Sequence, residues 1–457
     1  MTLGAQRGAL VFAAVLGSLA NAGCTVWNKV DVCEREPGAI EDVNLRNEND
    51  QSFSGADHLI PASEGTWLTV WTSGLSGSGA ARRDLRIARL DAEGAPLHTC
   101  GEQGEFTVVE ATPDADSESM LYTPSLVAPR NGDDTPLLFW GSDDGQTTTL
   151  FGEELSNQGC HPINSQPFVV AQQAGVCSTF PGRSQAEAQT CLLPFRAAAL
   201  DTSENGGAQF VLVWREDHYG SAGATMARVL EYGLDEKFLA TASSPRGDAV
   251  PLFQGSREPL SFDLVGLDDG KWAMAWIELG TTTQTAWIQL WNDRLEQLTQ
   301  PVLLDEGTIP DTRILDVARV GDDVGVAFVV AGGVHATIAS GRDGHALAQR
   351  EIQRSSQTDW TRVGADTNGN IVLAWSEANH VLAGLFDRSL SPKFNNQACD
   401  NEPFVVDGAT GSAGREDLAF DQHGGLLMTW TSSGAGGDDR SGTAVRSRYF
   451  TSGALKP

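Results

Sequence analysis

Basic residues are scarce in this chain: 31 Lys and Arg stand against 60 Asp and Glu over 457 residues, a formal charge of −29. A field of that sign repels phosphates and argues against a nucleic-acid partner, and no basic stripe is present to draw the body onto anionic lipid. Tyr (4) and Met (5) are few, and little helical periodicity follows the N-terminus, which argues against a helical architecture. No Cys-x-x-Cys, His-Glu-x-x-His, Gly-x-Ser-x-Gly or phosphate-loop pattern occurs, and the eight His show no zinc-like pairing.

What the chain has instead is a repeat. Short apolar runs follow Gly/Asp/Asn-rich turns seven times and end in Trp71, Trp140, Trp214, Trp276, Phe328, Trp375 and Trp430. Subtraction gives spacings of 69, 74, 62, 52, 47 and 55 residues, near or above the roughly 40–50 of one propeller blade. Turns such as Asp268-Asp-Gly270, Asn368-Gly-Asn370 and His423-Gly-Gly425 tolerate positive φ, so each anchor run reads as the second strand of a blade.

Inner strands are expected at Ser125–Ala128, Ile314–Ala318 and Asp417–Phe420, and third strands at Arg86–Leu90, Trp287–Trp291, His335–Ile338 and Arg446–Phe450. Fourth strands are expected at Phe106–Val109, Phe168–Val170 and Phe404–Val406. The fold class is therefore all-β, a seven-bladed β-propeller over residues 39–457. Blade seven lacks an outer strand of its own, and Ile40–Leu45 near the N-terminus is the candidate to supply it and cover the open edge. The seven anchors read as inter-blade packing residues. Trp272, Trp287, Trp291 and Trp360 lie outside the anchor positions and are freer to reach a surface, with core packing the plainer expectation. Ser184–Leu193 reads as a short helix inside an insertion.

Residues 1–23 are a different object. Arg7 precedes the apolar run Gly8–Ala20, whose 13 residues are too short to span a bilayer and read as an export signal. Its end, Ala20-Asn-Ala-Gly-Cys24, resembles the lipobox of bacterial lipoproteins, which implies acylation of Cys24 as the mature N-terminus and a tether over 24–38. The competing reading is ordinary cleavage at Ala20-Asn21-Ala22, leaving Cys24 as a thiol. Assigning Cys24 to lipid leaves six cysteines, Cys33, Cys100, Cys160, Cys177, Cys191 and Cys399, an even number suited to disulfides in an oxidising compartment. Cys177 and Cys191 flank one insertion and are the easiest pair to join; the pairing of the other four stays open. Under the lipoprotein resemblance, Thr25 after the Cys fits transfer to the outer membrane. Removing residues 1–23, with Arg7 and no acid, takes the charge from −29 to −30.

Cofactor signals are slight, and none is expected. Asp114-x-Asp116-x-Glu118 places three carboxylates at alternate positions as a calcium loop would, but without the downstream Gly and Glu of an EF-hand, so a solvated loop is the plainer reading. Asp366-x-Asn368-Gly-Asn370 reads as a hairpin turn. Ser142–Thr147 is similar to the Asp-box turn of sialidases, one residue short and occurring once, and names no catalytic residue.

The mature chain thus resembles secreted bacterial repeat propellers, which implies a rigid disc with loops on one face and a central channel free for binding. The leading expectation is a non-enzymatic surface lipoprotein that binds an envelope protein or polysaccharide, with insertions around Leu75–Arg83 and Ala171–Leu193 shaping one rim. The alternative is a carbohydrate-active enzyme, a glycoside hydrolase or lyase, which would bring free carboxylates together at the channel mouth. A third reading, an assembly component valued for its shape, calls for an exposed apolar patch on a blade edge.

Overall fold

The structure, a computed structural model, describes residues 37–43, 50–52, 59–74, 83–98, 105–109, 120–130, 135–143, 147–156, 161–163, 166–174, 195–201, 208–216, 224–231, 246–253, 259–279, 283–308, 315–330, 333–354, 358–393, 403–407, 412–433 and 443–452. The strands form seven small antiparallel sheets. Together they make the seven-bladed propeller. Blades two to six each comprise an inner, second, third and outer strand in sequence order; blade four, for example, is Pro259–Gly266, Lys271–Leu279, Thr283–Asn292 and Val302–Thr308.

The anchor runs read as continuous apolar stretches because a second strand has both of its faces covered by neighbouring sheets. Gln209–Glu216, with six consecutive buried residues, shows the effect. The core is accordingly divided into seven apolar wedges, one between each pair of adjacent blades. Every anchor fills the wedge toward the preceding blade: Trp71 lies against blade seven, Trp140 against blade one, Trp214 against blade two, and so on to Trp430 against blade six. All seven are at most 3 % exposed.

The ring is closed by the N-terminus. Pro37–Asp42 pairs antiparallel with Thr443–Phe450, the third strand of blade seven, three residues ahead of the Ile40–Leu45 expected from sequence. The register is held by Arg446, whose Nε lies 3.2 Å from Asp42 Oδ1, by Arg448 donating to the Gly38 carbonyl, and by Ile40 packing into the wedge between blades six and seven. Gly38 is required here, since a Cβ would come within 2.9 Å of the Tyr449 carbonyl oxygen. In blade one, two short strands, Asp50–Ser52 and Leu59–Pro61, share the edge of the second strand Trp67–Gly74.

Strand direction assigns each connection to one of two faces of the disc. Inner-to-second and third-to-outer connections lie on one face, where hairpins such as Leu267–Lys271 and Asp366–Asn370 are short and closed by backbone hydrogen bonds. Second-to-third and blade-to-blade connections lie on the other. Residues 75–82 join the second and third strands of blade one, and 175–194 join the outer strand of blade two to the inner strand of blade three. Both expected insertions therefore issue from the same face, termed here the loop face, opposite the turn face.

Candidate central channel

All seven inner strands line an axial cavity of about 400 Å³. Its wall is mainly Leu, Val, Ala and Gly: Leu126 and Val127, Ala197–Ala199, Leu264–Gly266, Val363–Ala365 and Leu418–Ala419 belong to it. Small residues are obligatory where adjacent inner strands nearly touch. A Cβ on Gly266 would stand 1.9 Å from the Ala199 carbonyl oxygen, and one on Gly364 would stand 2.1 Å from Leu418 Cδ1.

One inner-strand position, facing the residue just before the anchor, carries Ser125, Arg196, Asp263, Asp316, Arg362 and Asp417 in blades two to seven. Three of these Asp bind the next blade. Asp263 Oδ2 accepts from Val317 N–H at 3.0 Å, Asp316 Oδ2 from Val363 N–H at 2.6 Å, and Asp417 Oδ2 from Leu59 N–H at 2.9 Å. An inner strand is an edge strand toward the channel, and these carboxylates satisfy N–H groups that its own ladder leaves unpaired. Arg196 pairs with Asp263, and Arg362 lies between Asp316 at 3.0 Å and Asp417 at 3.5 Å. The channel-lining Asp316 and Asp417 are 3 % and 4 % exposed. Their carboxylates are thus spent on holding blades together.

Toward the turn face, Arg130 of blade two reaches Asp201 of blade three and the Asp268 side chain and Leu267 carbonyl of blade four. Arg319 of blade five pairs with the other Asp268 oxygen, so four blades share one network at this mouth.

Between blades six and seven, Glu416 is fully buried; Ser376 Oγ donates to its carboxyl, and burial pushes its pKa from 4.5 to about 7. Glu153 in blade two is raised similarly to about 7, by burial and then by the neighbouring Glu154 charge. Neither Glu lines the channel.

The sequence-derived candidates fall as follows. Cys24, Cys33, Cys100, Cys160, Cys177, Cys191 and Cys399 lie outside the described residues, as do Asp114, Asp116, Glu118 and Ser184–Leu193. Among the described residues, no group of three or more His, Cys, Asp or Glu could hold a metal ion. Asp366 accepts from the backbone N–H and side-chain amides of Asn368 and Asn370, and Lys393 binds Asn370 Oδ1, which makes this segment a hydrogen-bonded turn. Trp272 and Trp291 are fully buried and stacked at 4.7 Å, and Trp287 and Trp360 use their indole N–H groups internally. The four do not form an exposed aromatic platform.

Two recurrent devices escaped the sequence reading. In Trp214-x-Glu216, Trp276-x-Glu278 and Trp375-x-Glu377, the Glu two residues on accepts the anchor's indole N–H. This pairing follows from the period-2 alternation of a strand. The third-to-outer turns begin with Asp91, Asn292 or Asp387, whose side chain accepts the N–H groups two and four residues on. The signal was present as an Asp or Asn at the end of the third strand in blades one, four and six.

No protein-family model matches the chain, and no curated protein matches it in sequence. Similar solved structures include the E242A mutant of the alpha-L-arabinofuranosidase Arb93A from Fusarium graminearum with an iminosugar inhibitor, at 11 % identity and TM-score 0.44, covering 91 % of this chain and 98 % of that one. The polysaccharide lyase Uly1 is 11 % identical with TM-score 0.48, covering 90 % and 99 %. Prolyl oligopeptidase B from Galerina marginata is 11 % identical with TM-score 0.41, covering 89 % of this chain and 49 % of that one. At these values the likenesses carry no inference about activity.

Proposed function

We propose that this propeller is a non-enzymatic binding or scaffold module, anchored to the bacterial outer membrane by an acylated Cys24, that holds an envelope protein or polysaccharide on its loop face. The observation that carries the reading is the use made of the channel carboxylates: Asp316 and Asp417 are buried in inter-blade bonds, which leaves the apolar wall without a free acid–base pair from those two residues. Glycoside chemistry needs two available carboxyl groups about 5–10 Å apart. The connections at 75–82 and 175–194 instead join strands whose ends lie at one face, and a rigid frame is suited to presenting binding loops there.

The test is an affinity pull-down from native envelope with tagged, acylation-competent protein beside a Cys24→Ala control, read by mass spectrometry and glycan analysis. One stoichiometric protein or polysaccharide supports the proposal. Recovery of neither, together with turnover of an envelope glycan, contradicts it.

A further inference from the structure

Two side chains in blade six depart from the pattern of the repeat, and they meet. The hairpin Asp366–Asn370 is built like Asp421–Gly425 of blade seven: the Oδ1 of the first residue accepts the N–H of the fifth, at 2.8 Å in both. Blade seven closes that turn with Gly425, so the turn itself needs no carboxamide at its fifth position. Lys393 donates its backbone N–H to the Leu385 carbonyl after the third strand His380–Phe386, as Leu97, Ile163 and Leu298 donate to Arg89, Glu154 and Leu290 in blades one, two and four. Three blades thus place an aliphatic residue where blade six places an amine.

Lys393 Nζ is hydrogen-bonded to Asn370 Oδ1, and Asn370 Nδ2 donates to Asp366 Oδ2 at 2.6 Å. Asp366 and Asn370 are buried and Lys393 is half-buried. Amine, carboxamide and carboxyl therefore stand in one chain of contacts. We propose that this triad forms an intramolecular isopeptide bond, in which the Asn370 side chain acylates the Lys393 amine. The Nζ lone pair attacks Asn370 Cγ; the Nζ–Cγ bond forms and the Cγ–Nδ2 bond breaks. Counted from the ammonium form, Nζ sheds two protons, and the departing nitrogen gains both and leaves as ammonium, so no oxidant or co-reactant is needed. Asp366, within hydrogen-bond reach of that nitrogen, is the acid–base group that hands over a proton. Contact between the reactants supplies what an amine and an amide lack in free solution, since well-oriented intramolecular partners reach effective molarities of roughly 10⁵–10⁸ M. Burial of Asn370 limits the competition of water for Cγ. The product staples the inner-to-second hairpin of blade six to the segment that follows its third strand.

The test is tryptic mapping of the purified full chain by mass spectrometry, under reducing conditions so that no disulfide joins peptides, beside Lys393→Arg and Asp366→Ala. Residues 363–388 carry Asn370, and the peptides 389–393 and 394–415 meet at Lys393. The expected result for the parent is a branched species joining 363–388 to 389–415, uncut at Lys393 and lighter than the sum of the two by one ammonia, with the free 389–393 peptide depleted. Lys393→Arg, which keeps the cation but not the nucleophile, is expected to release the peptides separately, and Asp366→Ala to release them with Asn370 and Lys393 unmodified. Cleavage at Lys393 beside unmodified Asn370 in the parent overturns the bond, as does conversion of Asn370 to Asp without a branch. A branch that persists in Asp366→Ala overturns the role given to Asp366 and leaves the bond standing.

Discussion

Asp316 of blade five accepts a 2.6 Å hydrogen bond from the backbone N–H of Val363 in blade six, and the same carboxylate pairs with Arg362 at 3.0 Å. One buried acid thereby ties two sheets that share no strand. Truncation in Asp316→Ala removes the acceptor of the Val363 N–H and one carboxylate partner of the buried Arg362, so the expected loss is about 3–5 kcal/mol. Asp316→Asn, which keeps an acceptor, is expected to lose less than half as much. Urea midpoints at constant m-value check the ordering.

Glu416 makes stability depend on pH in a direction opposite to an ordinary salt-bridged carboxylate. Its folded pKa of about 7 exceeds the ordinary 4.5, so the native state binds the proton more tightly. The stability it contributes is fully present below about pH 4.5 and is lost as pH rises through 7. On the order of 3 kcal/mol is at stake, at roughly 1.4 kcal/mol per pH unit. Glu416→Gln is expected to flatten the fall in melting temperature between pH 5 and pH 8 relative to the parent; an unchanged slope would remove Glu416 as its source.

Substitutions at two positive-φ sites are expected to shift stability in opposite directions. Ala378, at φ 50, is exposed in the tight hairpin Glu377–His380, whose Asn379 has φ 71. Such turns favour Asn-Gly, and replacing the Ala378-Asn379 pair with it is expected to stabilise by up to about 1 kcal/mol. Leu390, at φ 57, is fully buried in the wedge between blades five and six. Relief of backbone strain there is outweighed by the cavity left behind, and Leu390→Gly is expected to destabilise by about 2 kcal/mol or more. Thermal melts of the two variants give the signs.

Removal of residues 1–43 strips the outer strand from blade seven and exposes the edge of Thr443–Phe450. Concentration-dependent association is expected, reversed by a synthetic peptide of residues 36–44. Static light scattering with and without the peptide reads this directly.

The blade count was legible because the apolar run of each second strand, buried on both faces, ends in a large aromatic that fills a wedge. The closing strand was displaced from its expected place because Pro37-Gly-Ala carries no β-propensity, and Arg446, Arg448 and a register imposed by the partner strand decide it. Leu59–Pro61 escaped notice as a strand for the same reason: three residues, one of them proline. The inter-blade belt was invisible because its positions hold Ser, Arg or Asp, and only the register shows them to be equivalent. Leu295 and Leu390 at positive φ hid the third-to-outer turns, where Gly94 and Gly344 announced the same geometry.

The measurement that bears most directly on the binding reading compares three tagged proteins in the envelope pull-down: the parent, a variant with 75–82 replaced by a short Gly-Ser link, and one with 175–194 so replaced. With melting temperatures preserved, loss of the retained partner in at least one loop variant is the predicted result. Undiminished retention by both would contradict binding at the loop face.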